Sequence, residues 1–213
     1  MSSRGLFISF EGIDGAGKST HIEGLAETFQ QQGRHVTLTR EPGGTHLGER
    51  IRDILLDPGP TARCGEADAF LFHAARAQSI REVVRPALAS GEVVISDRFT
   101  YSTRAYQGYG SGVPLPVLEG LEALSIDGTW PDLVVLVDVP VAVGLARRGR
   151  GAKEEQTRFE DETRHDRAFH ERVRAGYLAM AAADPGRWIV VDGDRDADVV
   201  AAEIAARVTG RVG

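Results

Sequence analysis

Gly12-Ile13-Asp14-Gly15-Ala16-Gly17-Lys18-Ser19 is the stretch whose residue types and spacing most directly prescribe chemistry. It fits G-x-x-x-x-G-K-[ST], in which glycines let consecutive backbone N–H groups turn inward around phosphate oxygens. Lys18 then adds a charge near β- and γ-phosphates, and the Ser19 hydroxyl offers a ligand to Mg²⁺. Thr20 follows at once, and a helix opening here would add its partial positive charge. Magnesium-assisted phosphoryl transfer also needs a carboxylate at the end of a neighbouring strand. Two residues compete for that place: Asp97, after Val93-Val94-Ile95-Ser96, and Asp138, after Leu133-Val134-Val135-Leu136-Val137. Asp97 is preferred because Arg98 follows it and would set an anion-binding group beside the metal. Asp138 precedes Val139-Pro140 and reads as a helix N-cap with proline in the first turn.

A third cluster is basic. The stretch 147–158 holds Arg147, Arg148, Arg150, Lys153 and Arg158 against Glu154 and Glu155, a local charge of +3 in a chain of net charge −6. Phosphoryl transfer spreads negative charge over oxygens, and a cation brought in by closure stabilises it where water is excluded. The variable loop positions Ile13, Asp14, Gly15 and Ala16 contain no cation. The basic stretch, with glycines on both sides of Arg150, is therefore expected to act as a mobile lid supplying one.

These residues need elements to position them. Leu6–Phe10 is an apolar run that reads as a buried strand, and Ser19–Gln32 carries Ile22, Leu25, Ala26 and Phe29 at helical spacing before Gly33. His35–Thr39, Val93–Ser96, Leu133–Val137 and Arg187–Val191 read as further strands. Helices are expected at Leu47–Leu56, Glu66–Ser90 with Pro86 kinking or ending it, Val113–Leu124, Val141–Arg148, Asp161–Ala183 and Asp196–Val208. Strands alternating with helices imply an α/β fold with a parallel sheet and crossover connections. No repeat or linker divides the 213 residues, so one domain with a lid at about 147–158 is expected.

Composition excludes several classes. Hydrophobic residues make up 42% and charged residues 26%, an ordinary globular balance that argues against disorder. A net charge of −6 argues against a protein that coats nucleic acid. Cys64 is the single cysteine, so no internal disulfide or cysteine-based zinc site can form, which fits a reducing cytoplasm. No apolar run approaches the ~18 residues of a membrane helix, and Leu6–Phe10 is too short for a secretory segment. The guanine-binding Asn-Lys-x-Asp and transporter Leu-Ser-Gly-Gly signatures are absent.

Ile95-Ser96-Asp97-Arg98-Phe99-Thr100-Tyr101-Ser102-Thr103-Arg104-Ala105-Tyr106-Gln107 resembles the signature of the thymidylate kinases. Phe10–Thr20 resembles that family's phosphate loop, and Arg40-Glu41-Pro42-Gly43-Gly44-Thr45 its third hallmark. The resemblance implies a P-loop three-layer sandwich with a parallel five-stranded sheet flanked by helices, similar to nucleoside monophosphate kinases. It implies an ATP-dependent, Mg²⁺-assisted phosphorylation of dTMP to dTDP in dTTP biosynthesis, and a homodimer. Residue by residue, Phe72 resembles the base-stacking aromatic and Arg76, one helical turn on, the donor to the thymine carbonyl. Arg98 and Arg52 resemble the arginines on the dTMP phosphate, with Arg40 among the acceptor-site residues. Glu41 and Asp14 resemble the carboxylates near the sugar and reacting phosphates, Thr103 and Gln107 the polar base contacts, and Tyr106 the ring crowding the ribose 2′ position. The lid resembles the bacterial class, whose lid carries the catalytic arginine. Arg150 and Arg158 both fit that role; the family's usual Asp-Arg pair is here Thr157-Arg158. Another nucleotide kinase of the same architecture, or a silent nucleotide-binding protein, are the rival readings.

Overall fold

The computed structural model describes residues 5–57, 63–151 and 167–212, with side chains of 148–151 left aside. Five parallel strands form its centre: β1 Leu6–Glu11, β2 Val36–Arg40, β3 Val93–Asp97, β4 Leu133–Asp138 and β5 Trp188–Asp192. The spatial order is β2-β3-β1-β4-β5. The inner strands are mostly apolar because helices cover both faces; Phe7, Ile8, Val94, Ile95, Val134 and Val135 are fully buried. β2, at one edge, alternates half-buried and exposed residues instead.

Helices α1 Lys18–Gln31, α2 His46–Leu56, α3 Gly65–Ser79, α4 Arg85–Ala89, α5 Thr100–Thr103, α6 Leu115–Ile126, α7 Val141–Gly151, α8 Arg167–Ala183 and α9 Ala197–Val212 complete the described chain. Thr45 caps α2, its hydroxyl accepting the Gly48 N–H at 2.9 Å. Pro86 does not end the long helical stretch. Ile80–Val84 forms a π-helical turn, the Arg85 N–H donates to the Ile80 carbonyl, and the chain continues helically to Ala89. The wider turn changes the hydrogen-bond register just where proline has no N–H to give. A second π-helical segment, Arg104–Gly110, extends α5, and the sequence patterning did not anticipate either segment.

Asp138 is not an N-cap. It is the last residue of β4, and Arg174 grips its carboxylate with two hydrogen bonds of 2.7 and 2.8 Å; α7 starts three residues later, behind Pro140. Successive strands run outward from β1 in opposite directions, to β3 and β2 on one side and to β4 and β5 on the other. Such a switch point opens a crevice at the carboxyl ends of the strands, and the glycine-rich loop leaves β1 there.

Candidate functional site

The loop Gly12–Gly17 links β1 to α1, as the motif requires. Ile13 and Ala16 turn their side chains into the core, which leaves the loop's backbone to face outward. Gly15 has φ +76°, and a Cβ there would stand 2.0 Å from the Gly144 carbonyl oxygen, so the loop rests directly on α7. Lys18 folds back over it, Nζ donating to the carbonyls of Gly12 at 3.4 Å and Ile13 at 3.3 Å. Burial, followed by the nearby Arg98 guanidinium, pulls the Lys18 ammonium down to about 8.

Asp97 sits where its sequence position implied. Ser19 Oγ is 3.4 Å from its Oδ2, while Oδ1 is buried without a protein partner. Asp138, the rival carboxylate, is occupied by Arg174.

Two adjoining cavities meet at this point. One is lined by Gly15, Gly17, Lys18, Ser19, Thr20, Arg40 and Asp97. The other is lined by Phe72, Arg76, Phe99, Ser102, Thr103, Tyr106 and Gln107, with Pro42 and Leu56. Asp14, Glu41, Arg52 and Arg98 line both. Two anions seated in the two cavities would therefore approach each other among two guanidinium groups.

Arg98 adopts φ +71°, a left-handed conformation that costs a side-chain-bearing residue about 1–3 kcal/mol. Its surroundings hold it there. The Arg98 N–H donates to the Phe10 carbonyl at 2.9 Å, and Ser96 Oγ donates to the Arg98 carbonyl at 2.6 Å. The guanidinium Nη1 reaches the Gly12 carbonyl and Ser102 Oγ, each at 3.0 Å, and the Tyr177 hydroxyl at 3.2 Å, while Nη2 pairs with Asp14 at 2.5 Å. Arg52 donates to the Pro42 carbonyl at 3.0 Å; Arg40, exposed, pairs with Glu49 at 3.0 Å.

Behind Arg98 lies a carboxyl that sequence reasoning missed. Glu11 is fully buried, accepts the Phe99 N–H at 2.9 Å and lies 2.6 Å from Ser102 Oγ. Burial dominates and pushes Glu11 up to about 8. Its partner Tyr177, on α8, lies 2.7 Å from the same Ser102 oxygen. A carboxylate closing an otherwise apolar strand was the available signal for Glu11. Tyr177 had only the i, i+4, i+8 spacing with Phe169 and Val173, which marks a buried face and no chemistry.

At the far end of the second cavity, Arg76 is almost wholly buried. Its Nε donates to Glu41 Oε2 at 2.8 Å and Nη2 to Thr103 Oγ1 at 3.0 Å; Nη2 also stands 2.7 Å from Glu41 Oε2, and Nη1 stands 3.0 Å from His73 Nδ1. Burial raises the Glu41 carboxyl, and Arg76 opposes the rise. Phe72 flanks this pocket from α3, and buried Gln107 from the π-helical segment. The Tyr106 hydroxyl donates to Asp14 at 3.2 Å, and the Arg98 guanidinium carbon lies 5.2 Å from the centre of its ring.

Of the basic stretch, Arg147 is committed elsewhere, donating to the Gly193 carbonyl at 2.9 Å and to Asp194 at 3.2 Å. Arg150 belongs to α7 by its backbone, and Arg158 lies outside the described residues.

The thymidylate kinase family model matches residues 10–204. A thymidylate kinase of Trichlorobacter lovleyi is 48% identical over 213 aligned residues, 97% of this chain and 98% of that protein. One from Desulforudis audaxviator is 49% identical over 211, covering 96% and 90%. The crystal structure of thymidylate kinase from Ehrlichia chaffeensis superposes with a TM-score of 0.76 at 32% identity, over 96% of this chain and 99% of that one. With the phosphate loop, the paired cavities and these matches spanning nearly its whole length, the chain belongs to the thymidylate kinase family.

Proposed function

We infer that the chain transfers the γ-phosphoryl group of ATP to the 5′-phosphate of dTMP, giving dTDP and ADP, in dTTP biosynthesis. The observation that carries this reading is the junction of the two cavities at Asp14, Glu41, Arg52 and Arg98. The acceptor phosphate is already anionic near neutral pH, so no general base has to activate it. Positioning and charge neutralisation supply the catalysis. The loop backbone and Lys18 hold the donor phosphates, and Arg98 and Arg52 hold the acceptor phosphate with planar forks suited to it. Phe72 offers a ring face to the base, Arg76, Thr103 and Gln107 its polar contacts, and Tyr106 closes the space beside the sugar 2′ carbon.

Mg²⁺ fits the residues present. Asp97 offers a buried, unpartnered oxygen beside the Ser19 hydroxyl, an all-oxygen pair of the kind a hard cation binds along with water and phosphates. When bound, the ion neutralises charge developing on the β- and γ-oxygens. Among the described residues no group of three or more His, Cys, Asp or Glu could hold a metal by itself.

The remaining cation is assigned to Arg150 or Arg158 on the resemblance to the bacterial class, and the engagement of Arg147 with the turn after β5 is consistent with that choice. The chain is assigned to the cytoplasm, where its one cysteine stays reduced; no helix among the described residues is long and apolar enough to cross a membrane. A homodimer is supported by exposed apolar residues on three adjoining helices: Leu47 and Ile54 on α2, Phe70 on α3, Val117 and Leu124 on α6.

ADP release measured with dTMP, dCMP, dGMP and dAMP as acceptors tests the reading. dTMP should exceed the others in kcat/KM by about tenfold or more, and Lys18→Ala should lower kcat by about 10²-fold or more. Equal efficiency for all four would assign the chain to a less selective kinase. No acceptor-dependent release would leave a nucleotide-binding protein without this chemistry. In the same assay, whichever of Arg150→Ala and Arg158→Ala lowers kcat more than it raises the KM for ATP identifies the closing arginine.

A further inference from the structure

Arg76 can recognise a base only if its guanidinium is held in one orientation, and the group holding its inner edge is an imidazole outside the cavity lining. His73 lies one turn before Arg76 on α3, is 4% exposed, and places Nδ1 3.0 Å from Arg76 Nη1 and 2.7 Å from Ser125 Oγ on α6. A guanidinium has five N–H donors and no acceptor, so Nδ1 must present its lone pair to Arg76. The ring proton therefore resides on Nε2, and the single Nδ1 lone pair is shared between the Arg76 donor and the Ser125 hydroxyl. His73 Nε2 is buried with no partner, an arrangement that costs stability. Burial first, and the Arg76 charge second, hold the imidazole down to about 3, so it stays a neutral acceptor at working pH.

The donor count at Arg76 gives this arrangement a consequence. Nε is bound to Glu41, Nη2 is shared between Glu41 and Thr103, and one Nη1 hydrogen goes to His73. One N–H is left over in this count, on Nη1 of a side chain that lines the cavity. We propose that His73, braced by Ser125, is a positioning residue for base recognition: by taking one Nη1 hydrogen it steadies that edge of the guanidinium plane, which Glu41 and Thr103 hold from the other side, and so sharpens selection of a base with a carbonyl acceptor for the last Arg76 donor over one with an amino group. This rests on the reading of Arg76 as the donor to the thymine carbonyl. His73 acts through Arg76 and touches neither substrate.

The test compares His73→Leu, His73→Asn and Ser125→Ala with the unaltered enzyme and with Arg76→Lys, measuring kcat, both KM values and the dTMP-over-dCMP ratio of kcat/KM. Leucine removes the acceptor. Asparagine can return an oxygen near the place of Nδ1. His73→Leu should raise the KM for dTMP by about tenfold and lower the dTMP-over-dCMP ratio by a similar factor, since a bond to a charged donor is lost. The kcat and the KM for ATP should stay within about twofold, because the phosphate loop is untouched. His73→Asn should recover most of the ratio, and Ser125→Ala, which removes only a hydroxyl, should show a smaller loss of the same kind.

If His73→Leu and Ser125→Ala both leave the ratio unchanged while Arg76→Lys collapses it, Arg76 reads the base without this support and the proposal is overturned. If Arg76→Lys also leaves the ratio unchanged, the reading of Arg76 fails, and the proposal with it. If His73→Leu lowers kcat and raises both KM values alike, with His73→Asn no better, the pair only packs α3 against α6 and the positioning role is rejected.

Discussion

At the scale of single residues, the buried carboxyl of Glu11 shows how chemistry can be hidden beside a motif that announces itself. Folding leaves its proton on at pH values where the unfolded chain, with its ordinary 4.5, has released it. The stability Glu11 contributes is complete below about 4.5 and is lost as pH rises to about 8. Lys18 gives no opposing slope in that window, because its own value, pulled down to about 8, separates the two states only above it. Replacing Glu11 with Gln removes the ionisation while keeping an acceptor for the Phe99 N–H. Melting temperatures measured for both proteins at pH 5 and pH 8 should therefore diverge, with Glu11→Gln gaining on the unaltered protein by roughly 5 °C or more, since one pH unit of linkage is worth at most about 1.4 kcal/mol. A gap that stays constant would mean Glu11 is already ionised in the fold. The loop residues, Asp97 and Arg98 were legible because their chemistry is local: a few adjacent side chains and a fixed backbone shape. Glu11 with Tyr177, and His73 with Ser125, converge from distant segments, and no spacing in the chain announces such meetings.

Among elements, the contact between the phosphate loop and α7 matters most. Gly15 and Gly144 bring two backbones together where side chains would separate them; a Cβ on Gly144 would stand 2.7 Å from the Asp14 carbonyl oxygen and 2.8 Å from Ile13 Cδ1. The helix that runs into the basic stretch therefore also sets the height of the loop that receives ATP. Gly144→Ala should push the two apart and raise the KM for ATP by about tenfold, within the usual cost of overpacking, with a smaller effect on dTMP. An unchanged KM for ATP would show that the loop keeps its shape without α7. Strands followed from continuous apolar runs and long helices from apolar spacing, as Leu133–Asp138 and Lys18–Gln31 illustrate. The π-helical turns did not, because an extra residue per turn blurs helical spacing without any residue type to mark it. One of those turns carries Tyr106 and Gln107 into the acceptor cavity, in keeping with the frequent presence of such turns at functional sites.

For the molecule as a whole, parallel strands could be foreseen from alternation with helices, but their order could not, since it depends on which crossovers pack where. The order places β1 between β3 and β4, with Leu6 beside Val93 and Ile8 beside Leu133. β1 is thus enclosed only once β4 has been made, three strands later in the chain. On the ribosome, Phe7, Ile8 and Phe10 emerge long before the second neighbour that buries them exists, and long-range parallel pairing is slow even when both partners are present. Chains halted before Leu133 should be cut by protease near their N-terminus and retain no ATP, whereas chains continuing past α9 should resist and bind; equal protection of the two would show that β1 is secured by β3 alone. The same placement that puts the nucleotide loop at the heart of the sheet leaves the nascent chain dependent on holding one greasy segment in reserve, so the cell's chaperone capacity bears on how much of this enzyme reaches its working form.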